Sequence, residues 1–126
     1  MLVTYLGEMI ATVVLPYPPS VNTYWRTFHG RTVLSAAGRD FKLETKVICM
    51  NEKVPAFGDR KLSVKMVLRP RDKRRIDIDN RIKGVLDALQ DAGVFTDDFQ
   101  VDYLQIERGE PMIGGCVVVT IETLND

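Results

Sequence analysis

Between residues 62 and 89 the hydrophobic period of the chain changes, and no other feature limits the fold as much. Leu62, Val64, Met66 and Leu68 alternate with Ser63, Lys65, Val67 and Arg69. That two-residue period is the mark of a strand with one buried face. Ile82, Val85, Leu86 and Leu89 instead fall at i, i+3, i+4 and i+7, the stripe of a helix packed on one side. Such a chain buries both apolar faces by laying a helix on a sheet.

The remaining elements extend that pattern. Residues 9–15, MIATVVL, read as a strand that Pro16, Pro18 and Pro19 end, since proline lacks a ladder donor. Tyr17 to Gly30 reads as a loop and Arg31 to Leu34 as a short strand. Ser35 is placed to cap a partly exposed helix running to about Lys53. After a turn at Pro55–Asp59 come the strand and helix already named, the helix opening near Asp79 and stopping at Gly93. Residues 101–108 and 116–122 read as two more strands, with Gly109 to Gly115 as the turn. The order β–(β)–α–β–α–β–β predicts an α+β fold: one compact domain over residues 1–126, with two helices on a mixed sheet. Residues 1–8 either extend the first strand or fray.

Lys and Arg total 17, as do Asp and Glu, which argues against a general polycation. The charges are nevertheless segregated. Arg69 to Arg75 carries five basic residues and one acidic one, whereas Asp87 to Asp102 carries five Asp and no Lys or Arg. A basic patch beside an acidic pocket suits metal-assisted phosphodiester chemistry, and a salt-bridged surface has the same composition. Cys49 and Cys116 form no C-x-x-C pair and are expected as buried, reduced thiols. No apolar run is long enough for a membrane span, and the first residues lack a basic leader, so a cytoplasmic protein is expected. There is no Walker loop, Rossmann fingerprint, zinc pattern or nucleophile elbow.

The candidate chemistry centres on RRIDIDNRIKGVLDAL, residues 74–89. Asp77 and Asp79, two apart at the end of an extended segment, put both carboxylates on one side of the backbone, and Asp79 is placed to cap the helix. Lys83 follows one turn later on the polar face, with Asp87 another turn along and farther from the acids. Two adjacent carboxylates repel unless a cation lies between them, and Mg²⁺ suits oxygen donors and phosphate. A cap plus a salt bridge to the arginine run fits the same spacing. A third acid is available from Asp97, Asp98 or Asp102, of which Asp97 and Asp98 also fit turn positions. The basic residues Arg69, Arg71, Lys73, Arg74 and Arg75 read either as a solvated loop or as backbone contacts for DNA. In the first loop Asn22, Tyr24, Trp25, Arg26 and Arg31 mix aromatics with arginine. That mixture suits stacking on unpaired bases, or a core under a long loop. His29, the single histidine, reads as an exposed loop residue.

D-I-D-N-R-I-K-G-V-L-D-A-L at 77–89 with D-D-F-Q-V-D at 97–102 closely resembles the RusA family of Holliday junction resolvases. LPYPPSVNTYWR at 15–26 and GRTVLSAAG at 30–38 are similar to that family's N-terminal segments, so the resemblance runs from residue 13 to about 122. The first residues, MLVTYLGEMIAT, differ. The resemblance implies a compact α+β homodimer of a bacterium or phage. It implies four-way junctions as substrate, Mg²⁺ or Mn²⁺ as cofactor, and paired symmetric nicks. Carried over residue by residue, it makes Asp77, Asp79 and Asp98 the catalytic, metal-holding acids and Lys83 the catalytic lysine. Asn80 is the motif residue after the second acid. The alternative is a junction- or branched-DNA-binding module without cleavage, against which the intact acid and lysine set argues.

Overall fold

The computed structural model of the chain describes residues 2–3 and 8–124, with side chains from residue 8 onward. In chain order the elements are β1 (Leu2–Val3), β2 (Met9–Pro16), α1 (Val21–Tyr24), β3 (Trp25–Phe28), β4 (Arg31–Leu34) and α2 (Ala36–Asn51). Then come β5 (Leu62–Arg69), α3 (Ile82–Asp91), β6 (Val101–Arg108) and β7 (Cys116–Thr123). Short 3₁₀ turns at Asp79–Arg81 and Asp98–Gln100 precede α3 and β6. The fold is α+β, one compact domain, as expected.

The main sheet has the order β1-β2-β7-β5-β6, and β3 with β4 forms a separate hairpin. All pairs are antiparallel except β5 and β6, which are parallel and joined through α3. A parallel pair needs such a crossover, because its connection must return the length of the strand. Hence β6 and β7, though consecutive, do not pair, since β5 lies between them. The 109–115 segment crosses the end of β5 instead, with the Gly109 and Met112 amides donating to the carbonyls of Leu68 and Pro70, both at 2.8 Å. Leu2 and Val3 pair with Ile10 and Met9, while residues 1 and 4–7 of the predicted N-terminal extension lie outside the described residues.

One face of the sheet is covered. Val13, Leu15, Val64, Met66, Leu68, Val117, Val119 and Ile121 are buried with Phe41 of α2 and with Val85, Ala88 and Leu89 of α3. Apart from Ala88, each such side chain stabilises the fold by roughly 1.5–3 kcal/mol relative to exposure. Ser35 caps α2 as expected, its Oγ accepting from the Gly38 amide at 3.0 Å. Gly93, at φ +81° just past α3, takes the left-handed conformation that ends helices.

Two expectations are corrected. The 17–30 loop contains the helical turn α1 and strand β3, and it folds back on β4 through His29 and Gly30, at φ 50° and 73°. That pair of left-handed residues is what a two-residue hairpin turn requires. Further on, α3 begins at Ile82 rather than Asp79, and Asp79 does not cap it. Asp79 instead opens the 3₁₀ turn, which leaves its carboxylate exposed.

Candidate active site

The Asp77–Asp79 pair lies on the connection from the carboxyl end of β5 to α3. Both carboxylates are exposed and make no ion pair among the described residues. The adjoining Asn80 Oδ1 is buried without a hydrogen-bond partner.

Lys83 links the start of α3 to the third acid. Its Nζ donates to Asp87 Oδ1 at 2.9 Å and to Asp98 Oδ2 at 3.1 Å. These two bonds, Asp87 first, hold the ammonium above the ordinary lysine pKa. Lys83 is therefore a persistent cation at neutral pH.

The three late acids separate by role. Asp98 touches Lys83. Asp97 accepts from the Phe99 amide at 2.9 Å, and Gln100 Oε1 accepts from the Asp97 amide at 2.9 Å. This reciprocal cap fixes the turn. The Asp98 amide donates to Gln90 Oε1 of α3 at 3.1 Å, so backbone bonds hold Asp98 while its carboxylate is left for Lys83. Asp102 stands on β6, 4.0 Å from Lys61.

The DNA-facing candidates are not all available. Tyr24 is fully buried, and its hydroxyl donates to the Gly84 carbonyl at 3.3 Å. Stacking on a base is closed to it in this conformation, because α2 and α3 close around its ring. Trp25 is half-buried against it at 5.1 Å. The open aromatic of this region is Phe28 at the hairpin tip, with Arg26 over its ring at 5.2 Å. Asn22, Arg31, Lys73 and Arg75 are exposed. Arg69 is tied down by donating to the Glu110 carbonyl at 3.0 Å. Arg74 is held by Asp72 at 2.8 Å, and its hydrogen bonds keep the Asp72 carboxyl below the usual range. Arg71 lies over Tyr17.

The sequence did not single out Arg81 or Tyr17, although Arg81 lies inside the motif and Tyr17 in the proline-rich turn. Arg81 donates to the Pro18 carbonyl and lies 4.6 Å over the Tyr17 ring. Asp87, which the sequence places one turn beyond Lys83 on the same polar face, is the nearer of its two anchors.

The donor set suits a hard divalent cation. It is all oxygen, the Asn80 oxygen beside it is orphaned, and Asp98 already holds a cation in the form of Lys83. Among the described residues, no three acids, thiols or imidazoles are gathered into a finished ligand cluster.

Residues 16–122 match the model of the family described as Endodeoxyribonuclease RusA. The chain belongs to the RusA family. Among similar proteins is the crossover junction endodeoxyribonuclease of Enterobacteria phage HK97, 38% identical over 111 residues, or 88% of this chain and 92% of the relative. Those of Shigella sonnei strain Ss046 and Escherichia coli K12 are each 31% identical over 115 residues, or 91% of this chain and 96% of the relative. The RusA match starts at Pro16, at the end of β2. It takes in the proline turn, the buried Tyr24, the D-x-D connection, α3 and the Asp98 turn. Among the described residues no helix is long and apolar enough to cross a membrane.

Proposed function

We propose that this chain is a divalent-metal-dependent endodeoxyribonuclease that resolves four-way DNA junctions by two symmetric nicks. The observation that carries the reading is the contact of Lys83 with Asp98, which ties the helix after the D-x-D pair to the late acid within a RusA-family chain. The names of the relatives supply the substrate class.

In this reading Asp77, Asp79 and Asp98 hold Mg²⁺, or Mn²⁺ in its place. When bound, the ion neutralises phosphate charge and lowers the pKa of a coordinated water. Lys83 stays protonated and so is no general base. It donates to a phosphate oxygen and offsets charge that grows as the bond breaks. Arg71, Lys73, Arg74 and Arg75 bind backbone phosphates. Asn22, Trp25, Arg26 and Arg31 lie along the approach of the DNA, joined by Phe28. A junction has two-fold symmetry and one chain carries one such acid set, so a C₂ homodimer supplies the matched pair of cuts. In this reading the protein acts in the cytoplasm of a bacterial cell, encoded by the bacterium or by a phage.

Asp79→Asn tests the reading. It removes a metal ligand from a position that carries no cap, so the fold is retained. Band shifts in EDTA should show junction binding unchanged or tighter, while nicking in Mg²⁺ collapses. Retained nicking would sink the metal site, and sedimentation of a monomer at active concentrations would sink the dimer.

A further inference from the structure

A cleft of about 350 Å³ opens between the Tyr17–Ser20 turn, α2 and the two arginines that flank the D-x-D pair. Arg71 and Arg81 lie over the Tyr17 ring at 5.1 and 4.6 Å. Contacts of this kind fix a guanidinium and leave the edge of Arg71 free to donate, while Arg81 spends one donor on the Pro18 carbonyl and keeps the others. Arg81 Nε is buried with no hydrogen-bond partner. On α2, Asp40 and Glu44 line the same cleft, one helical turn apart. Among the described residues none of these four charges makes an ion pair. Around Lys83 the opposite charges meet. Here both signs line one cleft and stay apart.

A ligand that satisfies both sides needs an anion at one end and hydrogen-bond donors at the other, with a flat apolar body between. A nucleotide has that form. Its phosphate suits the arginines, the amino hydrogens of its base suit carboxylate acceptors, and Phe41 supplies an apolar wall. A paired base keeps one of those hydrogens in its pair and its faces in the stack, whereas a base released at a branch point offers both hydrogens and its faces. Arg81 stands two residues after Asp79, so one wall of the cleft is continuous in the chain with the D-x-D connection.

We propose that this cleft is a subsite for one unpaired nucleotide of the branched DNA, with its phosphate on Arg71 and Arg81 and its base read by Asp40 and Glu44. The proposal rests on the junction-cleaving reading above and names what that reading leaves open, namely how the branch point is held.

The test uses the full chain in EDTA and a four-way junction in which one nucleotide at a time around the branch point is made abasic. Binding is titrated for the native chain and for the Asp40→Asn, Glu44→Gln double variant, whose changes sit at exposed positions. For the native chain, loss of the base should weaken binding about tenfold at one position, the usual size of a lost base contact. In the double variant that abasic penalty should disappear. The readout is the ratio of intact to abasic affinity, so any general gain from removing two carboxylates cancels. Selective junction binding with no position-dependent penalty, or the same penalty in both proteins, would overturn the subsite alone. Equal binding of junction and linear duplex would overturn the junction reading, and the subsite with it.

Discussion

Lys83 and Gly84 are neighbours in the chain, yet the two sides of α3 that they occupy differ in almost every physical respect. On the polar side Lys83 is more than half exposed and held by two carboxylates. On the packed side a Cβ added at Gly84 would lie 2.7 Å from the Tyr24 ring. The packed side fixes where the helix is, and the polar side uses that position. Substitutions on the first should therefore cost stability, and those on the second should cost activity.

The largest effect is expected from Lys83→Ala. Nicking should fall by about a hundredfold or more, as when a charge-stabilising donor is removed. The lost surface pairing is worth only about 0.2–0.5 kcal/mol, so the unfolding midpoint should hardly move. A normal single-turnover rate would take Lys83 out of the site.

Asp87→Asn sharpens the contrast. The sequence alone places Asp87 farther from the acids along the face, which predicts nearly normal nicking when it is replaced. The 2.9 Å contact with Lys83 instead motivates a measurable effect. When Asp98 serves a metal, Asp87 alone keeps Lys83 aimed. Nicking should drop about tenfold, since small misplacements of a reacting group are costly. In a Lys83→Ala background the same change should cost nothing more. Additive losses would mean that Asp87 acts independently of Lys83.

On the packed side, Gly84→Ala should destabilise the chain. Overpacking costs about 1–3 kcal/mol, and the better helix propensity of alanine returns only about 1 kcal/mol. The midpoint in denaturant should fall at constant slope. An unchanged midpoint would show that Tyr24 can move aside cheaply.

The smallest effect is expected from Tyr24→Phe. One long hydrogen bond is lost, worth about 0.5–1 kcal/mol at neutral pH. Burial, then Asp87 and Asp91, pushes the phenol pKa well up. The folded state thus keeps its proton when the unfolded chain ionises. Stability is full below the unfolded pKa of about 10 and falls by roughly 1.4 kcal/mol per unit above it. Lys83, also raised, adds loss of the same sign at high pH in both proteins. The phenylalanine variant should therefore lose less between pH 10 and 11, and parallel curves would contradict the assignment.

Much of the molecule is written in local pattern. The period-2 run at 62–68 and the period-3.6 run at 82–89 each specify an element, because the backbone repeat alone decides which side chains share a face. Ser35 and Gly93 mark helix ends for equally local reasons, and the motif from Asp77 to Asp98 carries the family resemblance. What no local pattern contains is partnership. The insertion of β5 between β6 and β7, and the parallel pairing it brings, depend on how all the strands and helices pack together. Tyr24 in an aromatic loop has the composition of a DNA contact, and only the closure of α2 and α3 over Gly38 and Gly84 makes it core. Asp87 meeting Lys83, Asp98 brought to the same ammonium, and two arginines gathered over Tyr17 are all contacts between side chains whose directions the tertiary packing sets. Sequence spacing fixes the side of an element on which a group stands, and packing decides what stands opposite it.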